Sequence, residues 1–313
     1  MRETNSLQIY ILSRDRPLYL REALRSVIFQ TENDSEIIVS DNSESDVVSL
    51  MLKEQFPQIR CIRRRPTLNQ FEHFRAIIDE ASADLLVMFH DDDILSSEYV
   101  SVLRKHLDRD PSLVAVCCDA FILRGNKVTK ERFLPPGRRD RQIKDPEDLL
   151  REYFSLSSKG PAPFPGYMYR RRAIKGLSLD PQEGGKYSDV SFILKILERG
   201  SILWVAKPLM RYRIHGQNDS STENVGHRLQ LLRYIYRSGV ISRYSPLVAQ
   251  YRYRYLGNWW QMGSDGTQVW RRRVIRRYLI HRTLIYALTR ATLWLRLLNK
   301  LMQIFKRSLR SRV

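Results

Sequence analysis

Apolar and polar positions over the first 120 residues follow two alternating periods. Residues 8–12 form an apolar run of strand length, and Pro17 then opens a stretch to residue 29 with Leu20, Leu24 and Val27 on one helical face. A second strand is predicted at 36–39, followed by the turn-rich Asp41-Asn42-Ser43-Glu44-Ser45 and a helix from residue 46. A short third strand at 59–62 precedes a helix over 69–81. Residues 84–89 read as the clearest buried strand, and a helix at 97–107 and a strand at 113–120 complete the series. Strands alternating with helices predict an α/β fold with a doubly wound, mostly parallel sheet. Ligands of such sheets bind beyond the carboxyl ends of the strands, which selects Ser13 and Arg14, Asp41 and Asn42, and the run from His90 to Asp93.

The pattern weakens from 121 to 166, where prolines mark loops. A helix at 188–198 and strands at 202–206 and 209–214 follow, and beyond residue 220 the chain reads helical. Three regions are therefore expected: an α/β domain over 1–220, split into 1–120 and 121–220, and a helical, basic C-terminal region over 221–313.

Composition changes this picture in one respect. Hydrophobic content of 43% and charged content of 28% are ordinary, but the formal net charge is +19. No acidic residue follows Asp265, so the excess is concentrated in the tail and calls for acidic partners. Cys61, Cys117 and Cys118 form no CxxC, which speaks against a zinc site or a disulfide framework and for a reducing compartment. Cys117 and Cys118 fall in a strand and read as core. The N-terminus shows no apolar leader, and no transmembrane segment is predicted. A cytoplasmic or peripheral protein is expected.

Three adjacent carboxylates, Asp91, Asp92 and Asp93, directly follow the buried strand. They repel one another unless a cation is bound, and hard oxygen ligands suit Mg²⁺ or Mn²⁺. The bland alternative is a solvated acidic turn capping the next helix.

Five segments in order, SRDRP after the first strand, IIVSDNSES, an Asn-bearing helix leading into LLVMFHDDDIL, KYSDVSFILKILERG and YRIHGQNDS, together resemble the inverting family 2 glycosyltransferases with the GT-A fold, of the kind that build bacterial surface polysaccharides. The resemblance spans residues 6–220. It implies that Ser13 and Arg14 line the base and ribose pocket, that Asp41 accepts a hydrogen bond from the base, and that Arg65 and Asn69 lie near the nucleotide. It places Asp91 close to the donor diphosphate and makes Asp92 and Asp93 the metal contacts, since the family often carries Asp where this chain has His90. His215 would approach the metal or diphosphate from the other side, with Arg213 offsetting phosphate charge. Asp189 stands where the family keeps its catalytic base, although relatives often carry Glu-Asp and this chain has Ser188-Asp189. A helix N-terminal acid is the bland reading of Asp189, and a structural imidazole that of His215.

The resemblance further implies Mn²⁺ or Mg²⁺ as cofactor, a UDP- or dTDP-sugar donor and transfer of a hexosyl or deoxyhexosyl group. The acceptor would be a glycan or lipid-diphosphate-linked glycan of O-antigen or capsule type. The QxxRW motif and membrane helices of processive synthases are not seen, which favours single additions. Gly166-Tyr167-Met168 is either a contact to sugar or acceptor or a turn entering a core strand, and Trp259 and Trp260 read as packing residues.

In the tail, Thr289, Thr292, Arg296, Asn299, Lys300, Gln303 and Arg307 recur at three- or four-residue spacing on an otherwise apolar helix over 274–305. This suits a helix lying in an anionic membrane interface, at the inner face of the cytoplasmic membrane. Packing on the catalytic domain or an oligomer contact are the alternatives, and Arg271, Arg272, Arg273, Arg276 and Arg277 would equally grip an acceptor's phosphates. A non-enzymatic nucleic-acid- or membrane-binding protein is the competing class. It has no use for the aspartate run, and no nucleic-acid partner is expected.

Overall fold

The computed structural model describes residues 5–32, 34–135, 137, 139–155, 162–216, 224–242 and 245–259, with Tyr286, Leu288, Thr289, Trp294, Leu298 and Met302. Two compact units are present, residues 1–153 with 158–240, and residues 154–157 with 241–313.

The first unit carries the sheet. Its opening series is β1 (Leu7–Ser13), α1 (Pro17–Ile28), β2 (Glu36–Asp41), α2 (Val47–Gln55), β3 (Arg60–Arg63), α3 (Gln70–Glu80), β4 (Leu85–His90), β5 (Ile94–Leu95) and α4 (Tyr99–Arg109). There follow β6 (Leu113–Arg124), β7 (Lys127–Arg132), β8 (Arg141–Ile143), α5 (Pro146–Phe154), β9 (Tyr167–Arg170), α6 (Arg171–Ile174), α7 (Ser188–Leu197), β10 (Ser201–Ile214) and α8 (Val225–Arg237).

Every residue of β1 is buried, and so are the first five of β4. Helices cover both faces of these strands, so they read as continuous apolar runs rather than alternating ones. In α1, Pro17 starts the helix with a fixed φ and no wasted donor, while Leu20, Ala23, Leu24 and Val27 are buried. Burial of each of Leu20, Leu24 and Val27 contributes about 1.5–3 kcal/mol. Helix α3 is closed at its start by a capping box: Asn69 accepts from the Phe71 and Glu72 amides, and Glu72 returns a bond to the Asn69 amide.

The strand order is β3-β2-β1-β4-β9-β6-β10-β5, with β7 on β6 and β8 on β10. β1 runs parallel to β2 and β4, and β2 to β3. β6 and β10 are also parallel. Between these blocks lies β9, antiparallel to both β4 and β6. The expected mostly parallel sheet is thus present, joined across one reversed strand.

The sequence expectation differs from the structure at two places. The strands expected at 202–206 and 209–214 are one strand, β10, whose register shifts on either side of Pro208. Proline lacks the amide that the ladder needs, so a bulge absorbs it and the strand continues. The region 121–166 also holds more order than its pattern suggests. β6 extends to Arg124 and turns into β7, with Leu123 opposite Val128 and Gly125 at φ +56°.

In the second unit, α9 (Pro246–Trp259) buries Val248, Ala249 and Tyr251, and the rings of Phe154 and Tyr251 lie 4.4 Å apart. The tail helix expected over 274–305, Trp260 and the arginines from 271 to 277 lie outside the described residues, except for the six single positions named above. No helix among the described residues is long and apolar enough to cross a membrane.

Candidate active site

The carboxyl ends of β1, β2 and β4 lie side by side. Ser13 is opposite Asp41, and Leu12 is opposite His90. Backbone bonds extend this alignment past the strands: the Asn42 amide donates to Ser13, Asp91 to Leu12 and Arg64 to Asp41. Asp15, at φ +51°, accepts from the Glu44 and Ser45 amides and from the Ser45 hydroxyl, which fastens the β1–α1 loop to the β2–α2 loop. Asp is among the residues that tolerate this left-handed geometry.

All three aspartates of the run are buried. Asp91 accepts from the Arg14 amide at 3.3 Å and pairs with Arg16 Nη2 at 2.5 Å. Burial pushes its carboxyl up to about 7, against the opposing pull of Arg16 and of the Ser13 hydroxyl. Asp92 pairs with Arg16 Nη1 and His215 Nε2, each at 2.9 Å. Its burial favours the proton, but the fields of His90, Arg16 and His215 outweigh that and hold it below the usual carboxylate range. Asp93 accepts from the Arg213 amide at 2.8 Å, and burial together with the charge of Asp92 pushes its carboxyl well up.

One atom from each of His90, Asp92 and Asp93 converges within 4.8 Å, an arrangement able to hold a metal ion. The two carboxylates suit Mn²⁺ or Mg²⁺ in donor type, and a carboxyl pushed up by burial and by the neighbouring charge of Asp92 is one that a cation would relieve. The residues therefore fit the cation that the resemblance implies. His90 stands in the convergent set, whereas His215 reaches it by bonding to the Asp92 carboxylate.

Arg213 is only 2% exposed. Its Nε donates to the Asp92 carbonyl at 2.7 Å and its Nη1 to the Gly125 carbonyl, its Nη2 pairs with Glu22, and the guanidinium lies 4.6 Å from the Tyr19 ring centre. It ties the aspartate run to β10 and α1 from behind. Arg16 is the cation that meets the carboxylates directly, and sequence reasoning did not single it out. The available signal was its place immediately before Pro17, where the chain leaves β1 and the helix start fixes the backbone.

At the end of β2, Asp41 is fully buried. Its Oδ1 accepts from the Ser43 amide at 3.0 Å, while Oδ2 has no hydrogen bond and lies 3.7 Å from Arg63 Nε. A buried acceptor with capacity left over is suited to a ligand N–H. Arg65 donates to the Ser43 and Glu44 carbonyls, and Asn42 exchanges two bonds of 2.8 Å with Leu68. Arg65 and Asn69 shape this loop, the second through its cap. The Arg14 side chain turns outward to Glu44.

Asp189 sits in the first turn of α7, half-buried. Burial pushes its carboxyl up to about 6, with the Val190 amide, its own amide and the charge of Arg228 pulling the other way. Tyr167 and Tyr169 of β9 stand close enough to feel its charge. The structure thus draws Ser13, Arg16, His90, Asp91, Asp92, Asp93, Arg213 and His215 into one cluster, Asp41, Arg65 and Asn69 into a second, and Asp189 meets Arg228 and the β9 tyrosines. Gly166 is pressed against Met210 and Cys117, where a Cβ would lie 2.9 Å from the Met210 sulfur, so it is a packing position.

A sheet of this order, with buried acidic residues and a metal-capable set at the end of its fourth strand, is that of the GT-A fold. The profile of Glycosyl transferase family 2 matches residues 9–175, and the chain belongs to that family. It is 25% identical over 218 residues to an uncharacterised glycosyltransferase of Nostoc sp., a match covering 68% of this chain and 66% of that relative, just under two thirds of its length. Among solved structures, S. aureus TarS 1–349 in complex with UDP-GlcNAc superposes with a TM-score of 0.55 at 14% identity, covering 81% of this chain and 80% of that one. GalNAc-T7 with UDP, GalNAc and Mn²⁺ gives 0.55 at 15% identity, covering 93% and 57%. These likenesses carry the fold.

Proposed function

We propose that this chain is an inverting glycosyltransferase that moves one hexosyl or deoxyhexosyl group from a UDP- or dTDP-sugar to a glycan or lipid-linked acceptor of surface polysaccharide. The observation that carries the reading is the convergent set of His90, Asp92 and Asp93, its two carboxylates buried, at the end of β4 in a family 2 chain. The UDP-GlcNAc of TarS and the UDP and Mn²⁺ of GalNAc-T7 support a nucleotide-sugar donor and a divalent cation.

His90, Asp92 and Asp93 would hold Mn²⁺ or Mg²⁺, with His215 orienting Asp92. A divalent cation bound there supplies Lewis-acid stabilisation of the departing nucleoside diphosphate. Arg16 adds a fixed positive charge beside Asp91 and Asp92. Asp41 Oδ2 accepts the base N–H. Asp189 takes the proton of the acceptor hydroxyl as that oxygen bonds to the anomeric carbon, and the bond from that carbon to the diphosphate oxygen breaks with inversion. A carboxyl pushed up to about 6 is matched to that task, ionised near neutrality yet basic enough to accept a proton.

Thermal unfolding with UDP, dTDP, GDP, CDP and ADP, each with and without Mn²⁺, tests the donor site. A ligand of the native state raises stability by mass action, by about 2.7 kcal/mol at a hundred times its Kd. UDP or dTDP is expected to raise Tm, and only with Mn²⁺. No shift with any of the five removes the basis of the reading.

The chain is further proposed to work at the inner face of the cytoplasmic membrane, held through its C-terminal helices. Trp294, Leu298 and Met302 are exposed large apolar residues four apart in a chain of net charge +19, which supports that placement. Co-sedimentation with vesicles is expected when they contain phosphatidylglycerol and to be lost with pure phosphatidylcholine at 0.5 M salt. Equal recovery in the supernatant with both vesicle types counts against it.

A further inference from the structure

Asp189 is delivered by a tight loop, and α8 lies on that loop. Gly185, at φ +55°, packs under the His227 ring so closely that a Cβ would sit 2.2–2.6 Å from three ring atoms. The next amide, Lys186 N–H, donates to His227 Nδ1 at 3.1 Å. His227 is itself fixed in the first turn of α8, where its amide donates to the cap residue Asn224. The Asn224 amide in turn donates to the Tyr187 hydroxyl at 3.3 Å.

Arg228 completes the grip. It is buried, its guanidinium lies 4.0 Å from the centre of the Tyr187 ring, and its Nη1 donates to the Tyr153 hydroxyl. Tyr187 is two residues before Asp189. At the far side of α7, Lys195 pairs with Glu183 and lies 5.9 Å from the Tyr234 ring centre, so α8 meets the loop at both of its ends. Burying an arginine is expensive unless its charge is used. Stacking on Tyr187, two residues before the proposed base, and acting on the base's carboxylate, is a use.

We propose that α8 is a clamp on the loop that presents Asp189, with His227 and Arg228 as its positioning residues. His227 fixes the backbone at Gly185 and Lys186. Arg228 fixes Tyr187 and adds a positive field that favours the ionised carboxylate. The groups facing Asp189 are Tyr167 and Tyr169 from β9, both held neutral by burial, and Arg228 from α8, while Lys186 lies over the Tyr187 ring on the loop itself. This inference rests on the reading of Asp189 as the base. It concerns a helix that begins beyond the family match at 9–175.

The test uses the whole chain labelled with carboxyl-¹³C aspartate, the Asp189 resonance being assigned by its loss in Asp189→Asn. In the wild type that resonance is expected to titrate near 6, since burial pushes the carboxyl up to about 6. Arg228→Met is expected to move the midpoint upward, because a nearby positive charge is gone, and Arg228→Lys to return it toward the wild-type value. His227→Ala is expected to speed amide exchange across residues 184–190 while leaving exchange in β1 and β4 unchanged. Identical midpoints in Arg228→Met and wild type overturn the electrostatic role, and unchanged exchange in His227→Ala overturns the clamp. Should Arg228→Met not fold, Arg228→Lys and His227→Ala still decide the matter through exchange over the same residues. Failure of the underlying reading is seen separately, as normal turnover in Asp189→Asn whatever the titration shows.

Discussion

Asp189→Asn is expected to lower sugar transfer by about 10²–10⁴-fold, the usual weight of a general base, while Mn²⁺-dependent binding of the nucleoside diphosphate stays near wild type. The substitution keeps shape and removes the proton acceptor. The groups that act on Asp189, its own turn and Arg228, are not among those assigned to the metal or the base pocket, so donor binding has no reason to fall. The pH dependence provides an independent reading. With the carboxyl pushed up to about 6, the active, ionised form is lost as pH falls through that value. Wild-type kcat/KM is therefore expected to rise tenfold per pH unit below 6 and to level off above it. Residual activity of Asp189→Asn is expected to lack that limb. Normal turnover in the variant, or a wild-type acid limb retained in it, assigns the base elsewhere.

Asp92→Asn is expected to act on binding. Asp92 lies in the metal-capable set and also accepts from Arg16 and His215, so one oxygen pair serves three partners. An amide of the same shape removes the negative charge and turns a donor toward Arg16 or His215. Mn²⁺-dependent affinity for UDP or dTDP is expected to fall roughly 10- to 100-fold, which removes about 1.4–2.7 kcal/mol of ligand stabilisation. The fold itself should persist, since Arg16 keeps its partner Asp91 and Arg213 keeps its bond to the Asp92 main chain. The comparison is a calorimetric titration of UDP or dTDP with and without Mn²⁺. Wild-type affinity in Asp92→Asn would exclude it from the metal site. Loss of the metal-free fold as well would make its role structural.

The two variants separate the proposed functions because they dissect different physical terms. In the proposed function Asp92 would help hold the cation that the diphosphate needs for binding, so its loss would appear first in affinity. Asp189, as the proposed base, would act on a proton that moves only in the transition state, so its loss would appear in kcat.

Much of this protein was determined by local sequence. β1, β2 and β4 are apolar runs bounded by polar residues, and burial on both faces requires little more than that. Helix α3 begins within a residue of its sequence expectation because Asn69 and Glu72 specify the N-terminal cap by themselves. Ser13, Asp41 and the aspartate run follow from the same rule, since residues at consecutive carboxyl ends of parallel strands must share one edge.

What tertiary structure alone decided is which partner each group finds. The four residues of β9 carry no period of their own, and only the space between β4 and β6 makes them a reversed strand. Asp92 meets His215 across 123 residues, and Arg213 turns to the Asp92 carbonyl across 121. Arg213 therefore ties elements together where sequence assigned it to phosphate, while Arg16 holds the carboxylates. The hold of α8 on the Asp189 loop is likewise invisible in either segment alone. Periodicity and caps are properties of a few neighbouring residues, so sequence displays them. Pairing of charges across the sheet depends on how distant elements pack, and no local pattern encodes it.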